Sequence, residues 1–337
     1  MEISIAKFDI ILVSYHRPLV LRKLLQSLEE LRPENLLTIR VLTLEDDEKT
    51  QQLVKHYSNE LPISLHKTAT LKSPGASRNV LIQTSTAEYL CFLDDDAVCS
   101  SSYFQVATRL MQSDIPVFGG PDQPLPEGDH YQKIIGAVLA HPLVMGPTYM
   151  RHTTRDPVPD ITSETQLTLC NLWVKRNILD ESQLFFNENL KRCEENELLN
   201  KLQALNYRLV YEPELFVYHR RRTQLGQIAR IQFLSGFYRG VCVYAKTSQL
   251  KTFFLIPFVT GMLLLLSPFL PERLLYTLIF IHGLLCLKVI YKIKEHIKNI
   301  SMGIWTWLLI IIIHVFFSLG LFLGVILGRT QYEKNHN

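Results

Sequence analysis

The sequence contains few cysteines, and none of them forms a pattern typical of a metal site or of a disulfide framework. Six cysteines are scattered over 337 residues without a C-x-x-C pair. This spacing argues against a zinc site and favours thiols buried as small core residues in a reducing compartment. A signal peptide is not expected either, because the first apolar run, Phe8 to Val13, is too short for one and is typical of a buried strand.

Charged residues are nearly balanced, and they form no basic stripe with interleaved aromatic residues. Lys plus Arg number 35, and Asp plus Glu number 32. Residues 251–337 hold eight basic and three acidic residues, which leaves 27 and 29 in the first 250. A basic excess confined to an apolar tail is typical of a membrane surface, and it argues against nucleic acid as a partner. The chain also contains no internal repeat.

Three apolar segments lie near the end of the chain. Residues 252–271 and 299–328 carry no charged side chain, and a membrane-spanning helix needs about 20 mostly apolar residues. A shorter segment, residues 274–287, reaches spanning length if its flanking lysines extend to the interface. The sequence therefore predicts a transmembrane region, residues 251–337, with about three helices at 252–271, 274–291 and 303–328.

The loop after the middle segment is basic, and its lysines are Lys288, Lys292, Lys294 and Lys298. The positive-inside rule places this loop in the cytosol, and two crossings put the N-terminal domain on the same side. We therefore expect a multi-pass protein of the inner cell membrane whose catalytic domain faces the cytoplasm. Residues 223–250 mix arginines with apolar side chains, which predicts an amphipathic helix on the membrane surface. A last packing helix of the catalytic domain is the alternative.

Residues 1–222 alternate between strand-like and helix-like segments. The predicted strands are 8–14, 38–44 and 89–93, and the predicted helices are 19–31 and 76–85. Such alternation predicts an α/β domain with a mostly parallel sheet. Ligands of these sheets bind beyond the carboxyl ends of the strands, so the chemistry is expected in the loops that follow them.

Three adjacent carboxylates, Asp94, Asp95 and Asp96, follow directly after the last of these strands. Carboxylates buried side by side repel one another unless a cation compensates their charge. Oxygen ligands at the mouth of a sheet suit Mg²⁺ or Mn²⁺, which can also bridge the phosphates of a nucleotide. A solvated acidic turn is the alternative interpretation.

Two further polar segments open predicted helices. In residues 73–79, S-P-G-A-S-R-N, Gly75 permits a close approach of the backbone to a ligand, and Arg78 offers a planar fork to a phosphate. An ordinary junction between loop and helix is equally compatible. In residues 193–199, C-E-E-N-E-L-L, a carboxylate is suited to act as a general base or simply to complement the helix dipole. His219 suits a metal ligand or a polar strand end.

The order of these motifs is more specific than any one of them. The segments are F-D-I-I-L-V-S-Y-H-R-P, G-A-S-R-N, F-L-D-D-D, C-E-E-N-E-L and V-Y-H-R-R. In this order they resemble family 2 glycosyltransferases of the GT-A fold, and the resemblance covers most of residues 8–222. The apolar tail and the H-R-R-R-T stretch are most similar to membrane-attached bacterial exopolysaccharide enzymes of the succinoglycan glucosyltransferase type.

The resemblance implies an inverting, metal-dependent transfer from a nucleotide-sugar donor, with a UDP-sugar as first choice and Mn²⁺ or Mg²⁺ as the cofactor. Glu195 stands where the family has the base that deprotonates the acceptor hydroxyl. The implied metal ligands are Asp94, Asp96 and His219. The expected donor contacts are Ser14, Tyr15, Glu45, Asp46, Gly75, Arg78 and Asp94. Because L-E-D-D-E-K-T departs from the family's D-D-G-S-x-D, the base or ribose contact falls on Glu45 or Asp46.

The residues expected on the acceptor side or at the interface are Asn171, Trp173, Glu194, Gln227 and Arg230. Gln227 and Arg230 are similar to the Q-x-x-R-W motif of processive polysaccharide synthases, with Ile231 in place of the tryptophan. An active site next to a membrane favours an acceptor linked to a polyprenyl lipid, or a glycan, and membrane lipids as partners.

Three other functions are open alternatives. A catalytically silent scaffold or sugar-binding protein could keep the fold, but it has no chemical need for the acidic motif, Glu195 and His219 together. A nucleotidyltransferase should show a glycine-rich loop after the first strand, and V-S-Y-H-R-P contains no glycine. A processive synthase is the least favoured, because three predicted spans are too few for a channel.

Overall fold

The computed structural model describes residues 6–154, 162–247 and 255–332, and the chain divides into two compact units. The first unit consists of Met1–Gln123 and Thr153–His219, and the second consists of Pro124–His152 and Arg220–Asn337. The end of the first unit lies close to the predicted domain boundary at residue 222. However, the predicted catalytic domain included the segment Pro124–His152, which the structure places in the second unit.

The strands are β1 (Phe8–Val13), β2 (Leu36–Leu44), β3 (Ile63–Thr68), β4 (Tyr89–Leu93), β5 (Ala97–Cys99), β6 (Val117–Gly119), β7 (Asp122–Pro124), β8 (Asn171–Lys175), β9 (Leu209–Tyr211) and β10 (Val217–His219). The helices are α1 (Pro18–Leu31), α2 (Glu48–Tyr57), α3 (Pro74–Thr84), α4 (Tyr103–Gln112), α5 (His130–Leu139), α6 (Pro142–Met145), α7 (Arg176–Ser182), α8 (Glu194–Ala204), α9 (Leu225–Tyr244), α10 (Leu255–Leu266), α11 (Glu272–Lys292) and α12 (Ile300–Tyr332). The predicted strands and helices of residues 8–93 are confirmed to within two residues at each end.

Seven strands form the main sheet of the first unit, in the order β3-β2-β1-β4-β8-β6-β9. Parallel pairs join β1 to β2 and β4, β2 to β3, and β6 to β9, whereas β8 runs antiparallel to β4 and β6. The predicted α/β fold with a mostly parallel sheet is therefore confirmed. Because β1, β2 and β4 are parallel, their carboxyl ends meet at one edge of the sheet, where α/β proteins bind ligands.

The main sheet is buried on both faces, which explains the nearly continuous apolar runs of its central strands. All five residues of β4 are buried, and Phe8, Ile10 and Leu12 of β1 are fully buried. Phe8 packs against Phe104 and Trp173, with ring centroids 5.5 and 4.8 Å away. This apolar core fixes the strand ends that carry the polar residues.

A second, three-stranded sheet has the order β5-β10-β7. β10 pairs antiparallel with β5, so that His219 stands opposite Ala97. Ala97 follows the acidic motif directly. The pairing thus brings a residue near the end of the first unit beside carboxylates more than a hundred positions earlier in the chain.

The second unit is helical in its described part. The apolar core of this unit joins residues of α5 and α6 to residues of α9, α11 and α12. No charged residue occurs between Ile134 and Pro147, and Ile134, Ile135 and Val138 are buried in this core. This apolar composition explains why the segment leaves the first unit.

Among the residues that the structure describes, two helices are long and apolar enough to cross a membrane, namely α11 with 21 residues and the 29 residues Ile300–Gly328 of α12. The predicted segment 252–271 instead contains a 12-residue helix, α10, and a short 3-10 turn, and residues 252–254 lie outside the described residues. The number of crossings stays a prediction.

The predicted interface segment, residues 223–250, contains the 20-residue helix α9, and residues 248–250 lie outside the described residues. α9 packs along α12, with Gly236 and Gly240 against the backbone of that helix. A helix lying flat on a membrane would cross a spanning helix at a steep angle. The place of residues 223–250 on a membrane surface stays a prediction.

Candidate active site

The acidic motif lies at the carboxyl end of β4, beside the end of β1. Ser14, the residue after β1, donates a hydrogen bond from Oγ to Oδ2 of Asp95 over 2.8 Å. Asp95 is only 3% exposed. Burial raises the pKa of its carboxyl to about 6, although Arg17 counteracts this and Asp96 adds to it. The acidic motif is thus partly neutralised by its own surroundings rather than solvated.

Arg17 is a site residue that the sequence interpretation missed. Its guanidinium contacts Oδ1 of Asp95 and Oδ2 of Asp96, each over 2.5 Å. Planar guanidinium groups bind two acceptors in a fixed fork, which suits two neighbouring carboxylates. The available signal was its place in Y-H-R-P, three residues after Ser14 at the end of β1.

His219 lies between two carboxylates. Its Nε2 is 2.8 Å from Oδ1 of Asp96, and its Nδ1 is 3.4 Å from Oδ2 of Asp122. Burial alone would lower the pKa of the imidazole, but Asp96 and Asp122 outweigh this and raise it to about 10. Burial opposes the ionised form of Asp96, but His219 and Arg17 hold its pKa well below the usual range. Asp122 is a second residue that the sequence interpretation missed.

Asp94, Asp96 and His219 can each turn one ligand atom towards a common point. These three atoms lie within 4.8 Å of one another, and within residues 6–154, 162–247 and 255–332 no other group of three such side chains does. Two carboxylate oxygens and one imidazole nitrogen form a donor set that suits a divalent cation such as Mn²⁺. The three predicted metal ligands are therefore brought together.

Arg78 links the acidic motif to the start of α8. Its NH2 atom is 3.0 Å from Oδ1 of Asp94, and its NH1 atom is 3.3 Å from Oε1 of Glu194. Burial, with help from Glu195, raises the pKa of Glu194 to about 7, while Arg78 lowers it. Glu195 lies beside Glu194 and is half-buried. Glu194 is thus buried and paired with Arg78, and Glu195 is the more accessible carboxylate.

The carboxylates after β2 fall into two classes. Glu45 and Asp46 are exposed, so both of the predicted base or ribose contacts are accessible at the sheet edge. Asp47 is 2% exposed and accepts hydrogen bonds from the backbone N–H groups of His16 and Thr50. These bonds hold the pKa of Asp47 below its usual value despite the opposing effect of burial. Asp47 therefore caps α2.

The start of α3 contacts Tyr15, and it corrects the expectation for Gly75. Tyr15 Oη and Ser77 Oγ are 2.9 Å apart, which places Tyr15 over the first turn of α3. Gly75, however, packs against protein: a Cβ atom there would lie 3.0 Å from the carbonyl oxygen of Asn187 and from Cβ of Phe186. Gly75 therefore permits close packing against residues 186 and 187. In this structure it does not serve the expected close approach to a ligand.

Asn171 and Trp173 are core residues, which corrects their assignment to the acceptor side. Both are fully buried. Tyr103 Oη donates to Oδ1 of Asn171 over 2.7 Å and accepts from Nε1 of Trp173 over 2.9 Å. Buried polar groups need such partners, so these side chains satisfy one another inside the fold.

The remaining predicted interface residues belong to the second unit. Gln227 and Arg230 are both exposed on the first turns of α9, and Gln227 donates to Oε1 of Gln224 over 2.7 Å. Their predicted part in acceptor binding stays a prediction.

Comparison with known proteins identifies the family. A model described as glycosyl transferase family 2 matches residues 9–176. This chain belongs to glycosyltransferase family 2. The matched region of this glycosyltransferase contains the acidic motif and Arg78, whereas Glu195 and His219 lie beyond it. Their assignment therefore depends on the geometry described above.

Matches to individual proteins cover more of this glycosyltransferase than the family model does. The succinoglycan biosynthesis protein ExoM of Rhizobium meliloti (strain 1021) is 24% identical over 255 residues, 72% of this chain and 77% of that protein. The mannosyltransferase PcManGT from Pyrobaculum calidifontis, solved with GDP-Man and Mn²⁺, has a TM-score of 0.57 at 11% identity, covering 95% of this chain and 87% of that one.

A second solved structure supports the same fold. S. aureus TarS 1-349 in complex with UDP-GlcNAc has a TM-score of 0.51 at 15% identity, over 97% of this chain and 92% of that one. A longer TarS structure has a TM-score of 0.50 at 16% identity over 77% of this chain, and the match spans only 43% of that longer chain. These likenesses show that the glycosyltransferase has the GT-A fold.

Proposed function

We propose that this glycosyltransferase transfers a sugar from a nucleotide-diphosphate sugar to a hydroxyl group of a lipid-linked or glycan acceptor, with inversion at the anomeric carbon. The observation that carries the proposal is the meeting of Asp94, Asp96 and His219 at the end of β4, with ligand atoms within 4.8 Å of one another. The similarity to ExoM favours exopolysaccharide or other cell-envelope glycan synthesis as the process.

Asp94, Asp96 and His219 would hold Mn²⁺ or Mg²⁺, which supplies positive charge against the departing diphosphate. Mn²⁺ is the ion to test first, because PcManGT was solved with it. Arg78 adds a fixed positive charge beside Asp94. Arg17 holds Asp95 and Asp96 in place, so that the carboxylates do not need to rearrange as the donor binds.

A UDP-sugar is the first donor to test, since the TarS structures contain UDP and UDP-GlcNAc, whereas PcManGT contains GDP-Man. The exposed carboxylates Glu45 and Asp46 would accept hydrogen bonds from the base or ribose. Ser14 and Tyr15 lie at the end of the neighbouring strand β1, where the nucleotide of an α/β protein is expected.

Glu195 is the proposed catalytic base. It takes the proton of the acceptor hydroxyl while the hydroxyl oxygen bonds to the anomeric carbon, and the bond from that carbon to the diphosphate oxygen breaks. One displacement inverts the configuration, so no covalent intermediate with the enzyme is formed. Glu194 is disfavoured as the base because Arg78 already pairs with its buried carboxylate.

Membrane attachment at the inner membrane, with the catalytic unit facing the cytoplasm, is part of the proposal. It is supported by the lengths of α11 and α12 and by exposed apolar side chains of α11, where Ile279, Phe280 and Ile281 are 52–65% exposed. Exposed apolar area of this extent is unusual on a soluble protein. A lipid-linked acceptor would reach such an enzyme by diffusion in the bilayer.

The test is nucleotide release from UDP-, GDP- and dTDP-sugars by the full-length protein in membrane extracts, with Mn²⁺ and a lipid extract as acceptor source. Glu195→Gln is the catalytic variant, and Glu181→Gln is the matched control on the exposed surface of α7. We expect turnover with one donor, loss of turnover with EDTA, and at least a hundredfold lower rate in Glu195→Gln, as for removal of a general base.

Two results would contradict the proposal. Full activity of Glu195→Gln would assign the base to another residue. If no donor binds in the presence of Mn²⁺, measured by equilibrium dialysis of labelled nucleotide sugars, a scaffold function replaces the transferase. Donor binding without turnover, followed by turnover once a purified polyprenyl-linked sugar is supplied, supports the lipid-linked acceptor.

A further inference from the structure

α9 and α12 approach one another more closely than side chains normally allow. A Cβ atom on Gly236 of α9 would lie 2.1 Å from the carbonyl oxygen of Phe317, and one on Gly324 of α12 would lie 2.0 Å from that of Phe237. Gly240 and Gly320 show equally close backbone contacts. Each helix thus presents a G-x-x-x-G pair to the other, a pattern typical of helices that associate within membranes.

The two helices run parallel and in register. Along α9, Gly236 lies against Phe317, Gly240 against Leu321, and Tyr244 against Gly328, so both residue numbers increase together. Towards the start of α9, Ile228 shares one buried apolar cluster with residues 309–313 of α12. The whole of α9 therefore lies alongside the C-terminal part of α12.

The position of α12 in a bilayer determines the position of α9. The apolar stretch Ile300–Gly328 has 29 residues, more than the about 20 needed to cross the hydrocarbon core. Every stretch of that length within it includes residues 309–319. These are the residues beside which α9 lies from Ile228 to Gly236. In any register that lets α12 cross, α9 enters the bilayer with it.

We propose that α9 is itself a membrane-crossing helix, and that the bilayer is the partner of its outer surface. This inference depends on the membrane attachment within the proposed function, but not on the catalytic chemistry. Its 20 residues measure about 30 Å, the thickness of the hydrocarbon core. Ile231 and Leu234 are half-buried and lie on the side of α9 away from the glycines that face α12, where they would face lipid.

The two arginines of α9 explain why its hydropathy does not identify it as a membrane-spanning helix. Arg239 is 4% exposed, so the protein shields its charge from lipid. Arg230 is exposed but lies within the first two turns of α9, where a long side chain can extend to the headgroups. Charged residues inside membrane segments are rare and face the protein interior, which is the arrangement of Arg239.

α9 also replaces α10 as the first crossing. Only residues 220–224 connect His219 to the start of α9, a link of about 18 Å at full extension, too short to cross a bilayer. In this topology α9 crosses from the cytosol to the outside, and α11 crosses back to the cytosol. The basic loop before α12 then lies in the cytosol, as the positive-inside rule requires. α10 then stays on the outer side, because a crossing by α10 as well would leave the basic loop outside.

The two topologies differ in the side on which the end of α9 lies. Lys246 is exposed just beyond α9, outside the cell if α9 crosses and inside if α10 is the first crossing. The experiment labels full-length Lys246→Cys in intact expression cells with a membrane-impermeant maleimide. Glu272→Cys, exposed at the start of α11, is the outside control, and Glu295→Cys in the basic loop is the inside control. The unsubstituted chain, with its half-buried Cys193, gives the background.

We expect Lys246→Cys to be labelled in intact cells to the same extent as Glu272→Cys, and Glu295→Cys only after permeabilisation. Thr247→Cys repeats the measurement at the neighbouring residue if the first variant does not accumulate. Protection of residue 246 while Glu272→Cys is labelled would overturn the crossing by α9. Protection of all three would overturn membrane crossing altogether, and neither result would affect the test of sugar transfer.

Discussion

Nδ1 of His219 lies 3.4 Å from Oδ2 of Asp122, while Nε2 of the same ring lies 2.8 Å from Oδ1 of Asp96. A carboxylate at one ring nitrogen fixes the orientation of an imidazole and the nitrogen that faces a metal ion. Asp122 is 3% exposed and sits on β7, in the same small sheet as β10. Asp122 therefore positions His219 within the proposed metal site.

Replacing Asp122 by asparagine should weaken metal binding without altering the ligands. We expect Asp122→Asn to raise the Mn²⁺ concentration for half-maximal activity by about 10- to 100-fold, the usual effect of losing such a partner. The donor KM at saturating Mn²⁺ should change little. Asp180→Asn, at an exposed carboxylate of α7, is the control. An unchanged Mn²⁺ requirement in Asp122→Asn would show that Asp122 does not position His219 for metal binding.

Arg17 should stabilise the metal-free protein, because it pairs with both Asp95 and Asp96. Removing one partner of a buried ion pair leaves charge uncompensated, and since Arg17 is itself 39% exposed we expect a loss of ~2 kcal/mol in Arg17→Gln. Mn²⁺ should restore much of this loss by supplying the missing positive charge. Thermal unfolding with and without Mn²⁺ measures both effects.

The decisive quantity is the gain in melting temperature on adding Mn²⁺. It should be larger for Arg17→Gln than for the unsubstituted chain, and intermediate for Arg17→Lys. Equal gains in all three proteins would mean that Arg17 and the metal ion do not share the acidic motif.

The sequence was sufficient for the strands that end at the site, because β1 and β4 are continuous apolar runs followed by polar residues. It was not sufficient for Asp122, since a three-residue strand has no periodicity, and its contact with His219 joins positions 97 residues apart. Asn171 and Trp173 misled the interpretation for a different reason. A polar residue and a tryptophan are typical of binding walls, but here Tyr103 pairs with both inside the core.

Prediction from the sequence was also incomplete for the second unit. Hydropathy detected α11 and α12 because their apolar stretches carry few charges. It did not detect that α9 packs along α12, because the relevant residues are glycines, whose contribution lies in close backbone approach rather than in apolar area. Pairing between helices distant in sequence is visible only in the fold.

Glu194 should make the stability of the protein depend on pH. Burial raises the pKa of its carboxyl from 4.5 to about 7, so the folded state holds its proton more tightly than the unfolded state does. The resulting stabilisation is complete below pH 4.5 and is lost as the pH rises through 7. Glu194→Gln removes this dependence. Between pH 5 and pH 8 the variant should therefore gain up to about 3 kcal/mol relative to the unsubstituted chain.

Denaturant titrations at several pH values measure this difference, with Glu181→Gln as an exposed control that should follow the unsubstituted chain. The pKa of about 7 already includes the opposing effect of Arg78, so the predicted gain is the net result of burial and this ion pair. A difference that does not change between pH 5 and pH 8 would contradict the raised pKa of Glu194.

The glycines of α12 should differ sharply in their tolerance of alanine. At Gly324 a Cβ atom would lie 2.0 Å from the carbonyl oxygen of Phe237, so α9 and α12 must move apart. At Gly303, in the same helix, nothing lies within 4 Å of the added atom. We expect Gly324→Ala to destabilise the protein by about 1–3 kcal/mol, as overpacking does. Gly303→Ala should be neutral or stabilising, because alanine favours the helix. Melting temperatures in one detergent compare the two variants, and equal values would mean that α9 and α12 do not pack through these glycines.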